Sequence, residues 1–226
     1  MILVANCFNE AAFAADFDQA VARRFEGSGV QCDWTEAAQL ASIADASRHS
    51  HLLISGSVAS AMDDQPWDAP LTRLVKQFME AGKPVLGICY GHQFLAKALA
   101  GPGHVRKAAR PEFGFRRLRL ASNPLFEGLP ETFAMVSHFD EVFDLPADFR
   151  VLAASDDCAV HAFQYRDQAV WGVQFHPEYD PEDGDRIWKI VFSDTPELLP
   201  PPPEHPEQIQ RNRRIFMNFL AAGRKG

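Results

Sequence analysis

A cysteine stands between glycines in Gly87-Ile88-Cys89-Tyr90-Gly91, directly after the apolar run Val85-Leu86-Gly87-Ile88. The segment 83–88 reads as a short buried strand, and 91–100 reads as a helix closed by Gly101. Cys89 is therefore predicted on a sharp strand-to-helix turn. Such a turn strains its central residue and admits only small neighbours. It lifts the thiol off the sheet edge and faces it with the free N–H groups and positive dipole end of the helix. Both effects favour thiolate, the nucleophilic form of cysteine. A buried, inert thiol is the ordinary state of a lone cysteine; the glycine spacing argues for the nucleophile.

A nucleophilic cysteine needs a base. Far downstream, the strand-like run 169–175 ends in His176-Pro177-Glu178. In extended backbone, residues i and i+2 point to the same side, and Pro177 biases His176 towards that geometry. Glu178 can then lie beside the imidazole and select its tautomer, as the third member of a triad does. Cys89, His176, Glu178 and a nearby histidine also have the chemistry of zinc ligands. The close-spaced ligand pairs of structural zinc sites are missing from these positions, so no metal and no cofactor is expected.

Together, Gly87-Ile88-Cys89-Tyr90-Gly91-His92-Gln93 and Gly172-Val173-Gln174-Phe175-His176-Pro177-Glu178 resemble the class I glutamine amidotransferases, in particular the amidotransferase domain of GMP synthetase and its free-standing relatives. The resemblance runs from about Met1 to Tyr179. Leu52-Leu53-Ile54-Ser55-Gly56-Ser57 takes the place of the family's glycine-rich oxyanion strand, and Val136-Ser137-His138-Phe139-Asp140 resembles the segment lining its glutamine pocket. The resemblance implies that Cys89 attacks the side-chain amide of glutamine, that His176 moves the proton and that Glu178 orients His176. It implies an oxyanion hole from the backbone N–H groups of Gly56 and Tyr90. Gln93, Ser137 and His138 are implied as substrate-pocket residues, with His92 and His138 supporting the pocket and not serving as bases. The product side would be a γ-glutamyl thioester and free ammonia.

One departure bears on substrate. The family's Pro-Gly-Gly-Pro is Ile54-Ser55-Gly56-Ser57 here, and with Asp63 and Trp67 it looks more like free-standing γ-glutamyl peptidase-like members. An enzyme acting on small γ-glutamyl peptides or conjugates is therefore an alternative, and a non-catalytic regulatory module of the same fold is a second. No Gly-x-x-x-x-Gly-Lys-[Ser/Thr] appears, so a synthase receiving the ammonia would be a separate polypeptide.

The elements that must position these residues alternate. Segments 1–5, 30–34 and 52–54 read as strands, and 17–25 and 71–80 read as helices, the second with an apolar stripe closed by Gly82 and Pro84. This order predicts an α/β fold: a mainly parallel sheet with helices on both faces, a nucleophile elbow and ligands at the carboxyl ends of the strands. Short runs at 114–120, 133–136, 151–154, 160–165 and 169–175 suggest a small antiparallel extension that returns His176 towards Cys89. The resemblance implies the flavodoxin-like class I amidotransferase version of this fold. Residues 1–199 are expected to form that domain. Residues 200–226 hold the proline run Pro200 to Pro203, read as a rigid spacer, and a final helix over 209–222 expected to pack on the same domain.

Bulk properties narrow the class. The 226 residues suffice for one domain with a sizeable core. A net charge of −8 argues against an extended nucleic-acid footprint. No run reaches the ~20 apolar residues that span a bilayer, and Met1 to Ala5 reads as the first strand, not a signal peptide. Cys7, Cys32, Cys89 and Cys158 show no Cys-x-x-Cys spacing, which points to a reducing, cytoplasmic setting.

Overall fold

In the computed structural model, residues 1–43 and 46–223 are described. Nine strands form one sheet: β1 (Ile2–Asn6), β2 (Cys32–Glu36), β3 (His51–Ile54), β4 (Val85–Ile88), β5 (Val105–Leu120), β6 (Glu131–Val142), β7 (Phe149–Ala154), β8 (Ala162–Tyr165) and β9 (Val170–Val173). Their order is β2-β1-β3-β4-β9-β8-β7-β5-β6. Pairing is parallel from β2 through β9 and antiparallel from β9 to β6.

The parallel strands β1, β3, β4 and β9 are buried along their whole length. Their near-continuous apolar runs are what a sheet covered on both faces requires. Neighbouring residues go to opposite faces, as strand geometry dictates. Leu3, Leu52 and Val85 join Leu71, Phe78 and Phe94 of helices α2 (Asp68–Glu80) and α3 (Tyr90–Ala100). Val4, Leu53 and Leu86 join Phe17 and Phe25 of α1 (Ala11–Phe25). The same second layer receives Ile215, Phe216 and Phe219 of the last helix, whose stripe at i, i+1, i+4 is one helical face.

Several boundaries differ from the sequence expectation for physical reasons. Helix α1 begins at Ala11, six residues before the first fully buried position, because its alanine-rich first turns are half-exposed and carry no apolar stripe. Strand β5 is 16 residues long and absorbs Pro111 at a register shift between Lys107 and Glu112; proline has no N–H for the ladder and is tolerated at such a bulge. The antiparallel part thus holds long strands and continues the same sheet. Helix α4 (Pro181–Val191), absent from the sequence reading, starts at an Asp180–Asp183 capping box and packs Trp188 edge-on against Phe115 at 5.2 Å.

The expected helix over 209–222 is divided into α5 (Pro206–Ile209), a 3₁₀ turn (Gln210–Asn212) and α6 (Arg213–Ala222). The break is held by buried Asn212, which donates to the Phe133 carbonyl at 2.9 Å and touches Thr132 Oγ1. The proline run carries no helix or strand, and Pro200 lies beside Gly114, where a Cβ would come within 3.2 Å of it. The last three residues of the expected C-terminal segment, 224–226, and residues 44 and 45 lie outside the described residues.

Candidate active site

Cys89 sits between β4 and α3 at φ 51°, ψ −101°, a left-handed conformation rare for residues with a Cβ. The flanking glycines are required by space. A Cβ on Gly87 would come within 2.3 Å of the Gly91 carbonyl oxygen, and one on Gly91 within 2.7 Å of the Ile54 oxygen. The bend is held from outside: Cys89 N–H donates to Val173 O at 2.8 Å, and Gly91 N–H to Ser55 O at 3.0 Å. Tyr90 begins α3, so its N–H has no carbonyl four residues back. Its ring points into the core, where the hydroxyl accepts from Trp67 Nε1 at 3.0 Å.

His176 arrives just beyond β9 and is tied to β6 through its N–H and the Met135 carbonyl, 2.8 Å apart. Its Nδ1 lies 2.7 Å from Glu178 Oε1, the same-side placement that the i, i+2 spacing demands. Both side chains are buried. The glycine facing them is Gly56: a Cβ there would meet His176 Cε1 at 3.2 Å and Cys89 Cβ at 3.6 Å. One glycine therefore separates the imidazole from the cysteine. The loop carrying it is locked by Ser55 and Ser57. Ser55 Oγ accepts from Cys7 N–H at 2.7 Å and donates to Gly56 O at 2.6 Å, and Ser57 Oγ donates to Cys7 O at 2.7 Å.

Burial alone would lower the His176 pKa. The Glu178 carboxylate and the Cys89 sulfur overcome it and push it up to about 10. His176 is therefore an imidazolium at neutral pH, placed against a sulfur whose negative charge it stabilises. His92 is the opposite case: full burial pulls it down to about 3, so it is a neutral packing residue, tilted against Phe163 at 4.8 Å.

Cys89 and His176 open onto a cavity of about 220 Å³. Ser137, His138 and Gln93 line it, as the resemblance implied. Gln93 also braces the wall, because its Nε2 donates to Asp140 O at 2.9 Å and to Gln174 Oε1 at 3.0 Å. His138 turns its Nδ1 to the Asp140 carbonyl at 3.1 Å. Lys107 and Asp140, paired at 2.7 Å, bring charge to the lining, and Ser60 Oγ donates to the other Asp140 oxygen at 2.6 Å. Phe8, Phe13, Phe113 and Phe139 add an aromatic rim.

Sequence reasoning did not single out Gln174, whose Nε2 reaches Cys89 Sγ at 3.6 Å. Its place two residues before His176 was the available signal. It also passed over Lys107, which is distant in sequence from every motif, and a second buried group: Glu112, His138, Cys158 and His161. Their ligand-type atoms all lie within 4.8 Å of one another. Glu112 Oε2 is 2.8 Å from His161 Nε2 and 3.3 Å from His138 Nε2. Burial pushes Cys158 up to about 12. Among the described residues this is the cluster whose donor set could hold a metal ion.

Comparisons with known proteins agree with this arrangement. The family described as "Glutamine amidotransferase class-I" matches residues 13–192. A "GMP synthase [glutamine-hydrolyzing]" of Caldicellulosiruptor saccharolyticus is 37% identical over 169 residues, covering 74% of this chain and 32% of the relative. One of the separate chains of a "GMP synthase [glutamine-hydrolyzing]" in Methanococcus maripaludis is 44% identical over 109 residues, 47% of this chain and 57% of the relative. The chain thus spans about a third of the length of the first of these relatives. Among solved structures, a glutamine amidotransferase from Thermotoga maritima superimposes with TM-score 0.75 at 21% identity, covering 100% of this chain and 99% of that one. At that identity the likeness speaks for the fold. Motifs, sheet topology and family match converge on one assignment: this chain belongs to the class I glutamine amidotransferases.

Proposed function

We propose that this chain hydrolyses the side-chain amide of glutamine, with Cys89 as nucleophile, His176 as proton carrier and Glu178 as its orienting partner. The observation that carries the reading is the meeting of a strained cysteine elbow with a carboxylate-held imidazolium across Gly56. The Cys89 thiolate forms a C–S bond to the amide carbon as the carbonyl electrons move to oxygen. The N–H groups of Gly56 and Tyr90 receive that oxyanion; one such donor is typically worth ~10²–10³ in rate. The tetrahedral intermediate collapses, His176 gives its proton to the leaving nitrogen, and ammonia departs. A water then gives a proton to His176 and attacks the thioester, releasing glutamate and restoring the ion pair. Lys107 and Asp140 supply charges of the right signs for the α-carboxylate and α-ammonium of the substrate, beside the Ser137-His138 wall and Gln93.

The relatives named GMP synthase support delivery of the ammonia to a separate synthase chain that works on a nucleotide. Adding such a chain to the purified protein should raise glutamine turnover; unchanged turnover in an assembled complex removes the partnership. A second reading is favoured by a specific feature. The locked Ser55-Gly56-Ser57 loop and the aromatic rim, with Phe139 58% exposed and edge-on to Phe113 at 5.0 Å, suit a γ-glutamyl substrate carrying an apolar group. Steady-state rates on glutamine and on γ-glutamyl peptides decide between them: activity on glutamine alone supports the first, and faster turnover of the peptides supports the second. Loss of neither substrate in either assay would leave a regulatory module. Residues 1–199 act as the catalytic domain in this reading, with 200–226 strapped onto it through α6. No described helix is long and apolar enough to cross a membrane, all four cysteines are free, and we place the reaction in the cytoplasm.

A further inference from the structure

We propose that Glu112, His138, Cys158 and His161 form a four-ligand site for a divalent transition metal of the zinc class, buried behind the wall of the cysteine cavity. The four residues come from separate places in the antiparallel half: Glu112 follows the β5 bulge, His138 lies on β6, and Cys158 and His161 lie in the connection between β7 and β8. Each is at most 4% exposed, and their donor atoms lie within 4.8 Å of one another. Two ligands held at about 2.0 Å in a tetrahedron stand about 3.3 Å apart, and His138 Nε2 stands 3.3 Å from Glu112 Oε2. That nitrogen is buried and has no aligned hydrogen-bond partner among the described residues. A metal would complete it.

The outer contacts match those of a metal site. A ligating histidine gives its other ring nitrogen to a carbonyl or carboxylate, and His138 Nδ1 lies 3.1 Å from the Asp140 carbonyl. The second Glu112 oxygen accepts from Ser155 Oγ at 2.9 Å, and the same hydroxyl accepts from Cys158 N–H at 2.9 Å. Charge closes as well. Binding displaces the Cys158 proton to solvent, and a dication with one thiolate, one carboxylate and two neutral imidazoles is electrically neutral, as burial requires. Four protein ligands leave no open position, so the site is structural. It would pin the Ser137-His138 wall to the segment whose His161 carbonyl receives Gln174 N–H at 2.8 Å.

The test uses the full chain with Cys89 first blocked by a glutamine-analogue electrophile, so that its sulfur cannot contribute. Zinc loading should reach one equivalent, and X-ray absorption should show one sulfur at about 2.3 Å and N/O ligands at about 2.0 Å. Cobalt loading should give a thiolate-to-cobalt charge-transfer band. Cys158→Ser should abolish the band, and His161→Ala should weaken zinc binding by more than the ~10–100-fold typical of an outer-shell partner. Binding below one equivalent, or a bound zinc with no sulfur neighbour in the wild-type chain, overturns the proposal even if the variants fail to fold. A cobalt band that survives in folded Cys158→Ser overturns it too.

Discussion

The molecule carries a cysteine, a histidine and a glutamate together in two places, and the two groups behave in opposite ways. Cys89, His176 and Glu178 gather where the parallel strands end. Cys158, His161 and Glu112, with His138, gather inside the antiparallel half. The first cysteine is forced to φ 51° and borders a cavity. The second is held in a tight turn by Ser155 and borders none of that cavity. His176 is driven up to about 10, while burial pulls His161 down despite its contact with Glu112. In the buried group burial keeps Cys158 a thiol, raised to about 12. Residue type alone does not set reactivity. Access to a cavity and a backbone that aims the side chain do.

The sharpest way to break the comparison is to swap the burden between the cysteines. Cys89→Ala should lower glutamine hydrolysis by ~10⁴-fold or more while the circular dichroism spectrum is unchanged, since triad members act as a unit. A glutamine-analogue electrophile should label Cys89 and leave Cys158 unmodified, as read by peptide mass spectrometry. Labelling of Cys158 would reverse the two roles. Within the first group, His176→Ala should cost ~10²–10⁴-fold in kcat/KM, the range of a lost general acid–base. Glu178→Gln should cost less, because the amide still holds the ring while losing the charge. Equal losses in folded variants would erase that division of labour.

The elbow itself offers a test that separates backbone from chemistry. Gly91→Ala drives a Cβ to 2.7 Å from the Ile54 backbone oxygen, whereas at Gly103 a Cβ meets nothing within 4 Å. Gly91→Ala should lose about 1–3 kcal/mol, as overpacked sites do, and Gly103→Ala should stay within about 0.5 kcal/mol of the parent; urea titration measures both. Similar stabilities would mean the turn is not space-limited.

The smallest effect is in pH dependence. His176 has its folded pKa raised above the unfolded value of about 6.5, to about 10. Its contribution to stability is therefore fully present below pH ~6.5 and is lost as pH rises through about 10. The melting temperature of the parent should decline across that window, and Glu178→Gln should flatten the decline because the carboxylate is the first of the forces raising the pKa. The basic limb of kcat/KM should move to lower pH in the same variant. An unmoved limb would show that Glu178 does not hold the imidazolium.

The first group was legible in the chain because its geometry is local. Glycines two positions either side of Cys89 report a backbone that excludes Cβ atoms, and His-Pro-Glu places a carboxylate beside an imidazole by strand alternation alone. The apolar runs of β1, β3, β4 and β9 likewise announce strands covered on both faces. Helix α4 was not legible, because its capping box lies beyond the last motif and its apolar stripe is short. The same holds for the break at Asn212, which depends on a hydrogen bond to Phe133 in a distant strand. Nor was the second group visible: Glu112, His138, Cys158 and His161 share no spacing rule, and only the pairing of β5 with β6 and of β7 with β8 carries them to one point.

What the sequence determined by itself is the chemistry that short-range sterics encode: the cysteine turn, the imidazole–carboxylate pair and the two-faced strands. What only the tertiary structure decided is which of these meet. The contact of Cys89 with His176 across Gly56, the lining of the cavity by Lys107, Asp140 and the phenylalanines, and the burial of Cys158 beside Glu112 all depend on strand order. Strand order is set by which packing of the whole sheet hides the most apolar surface, a sum over the chain that no local spacing contains.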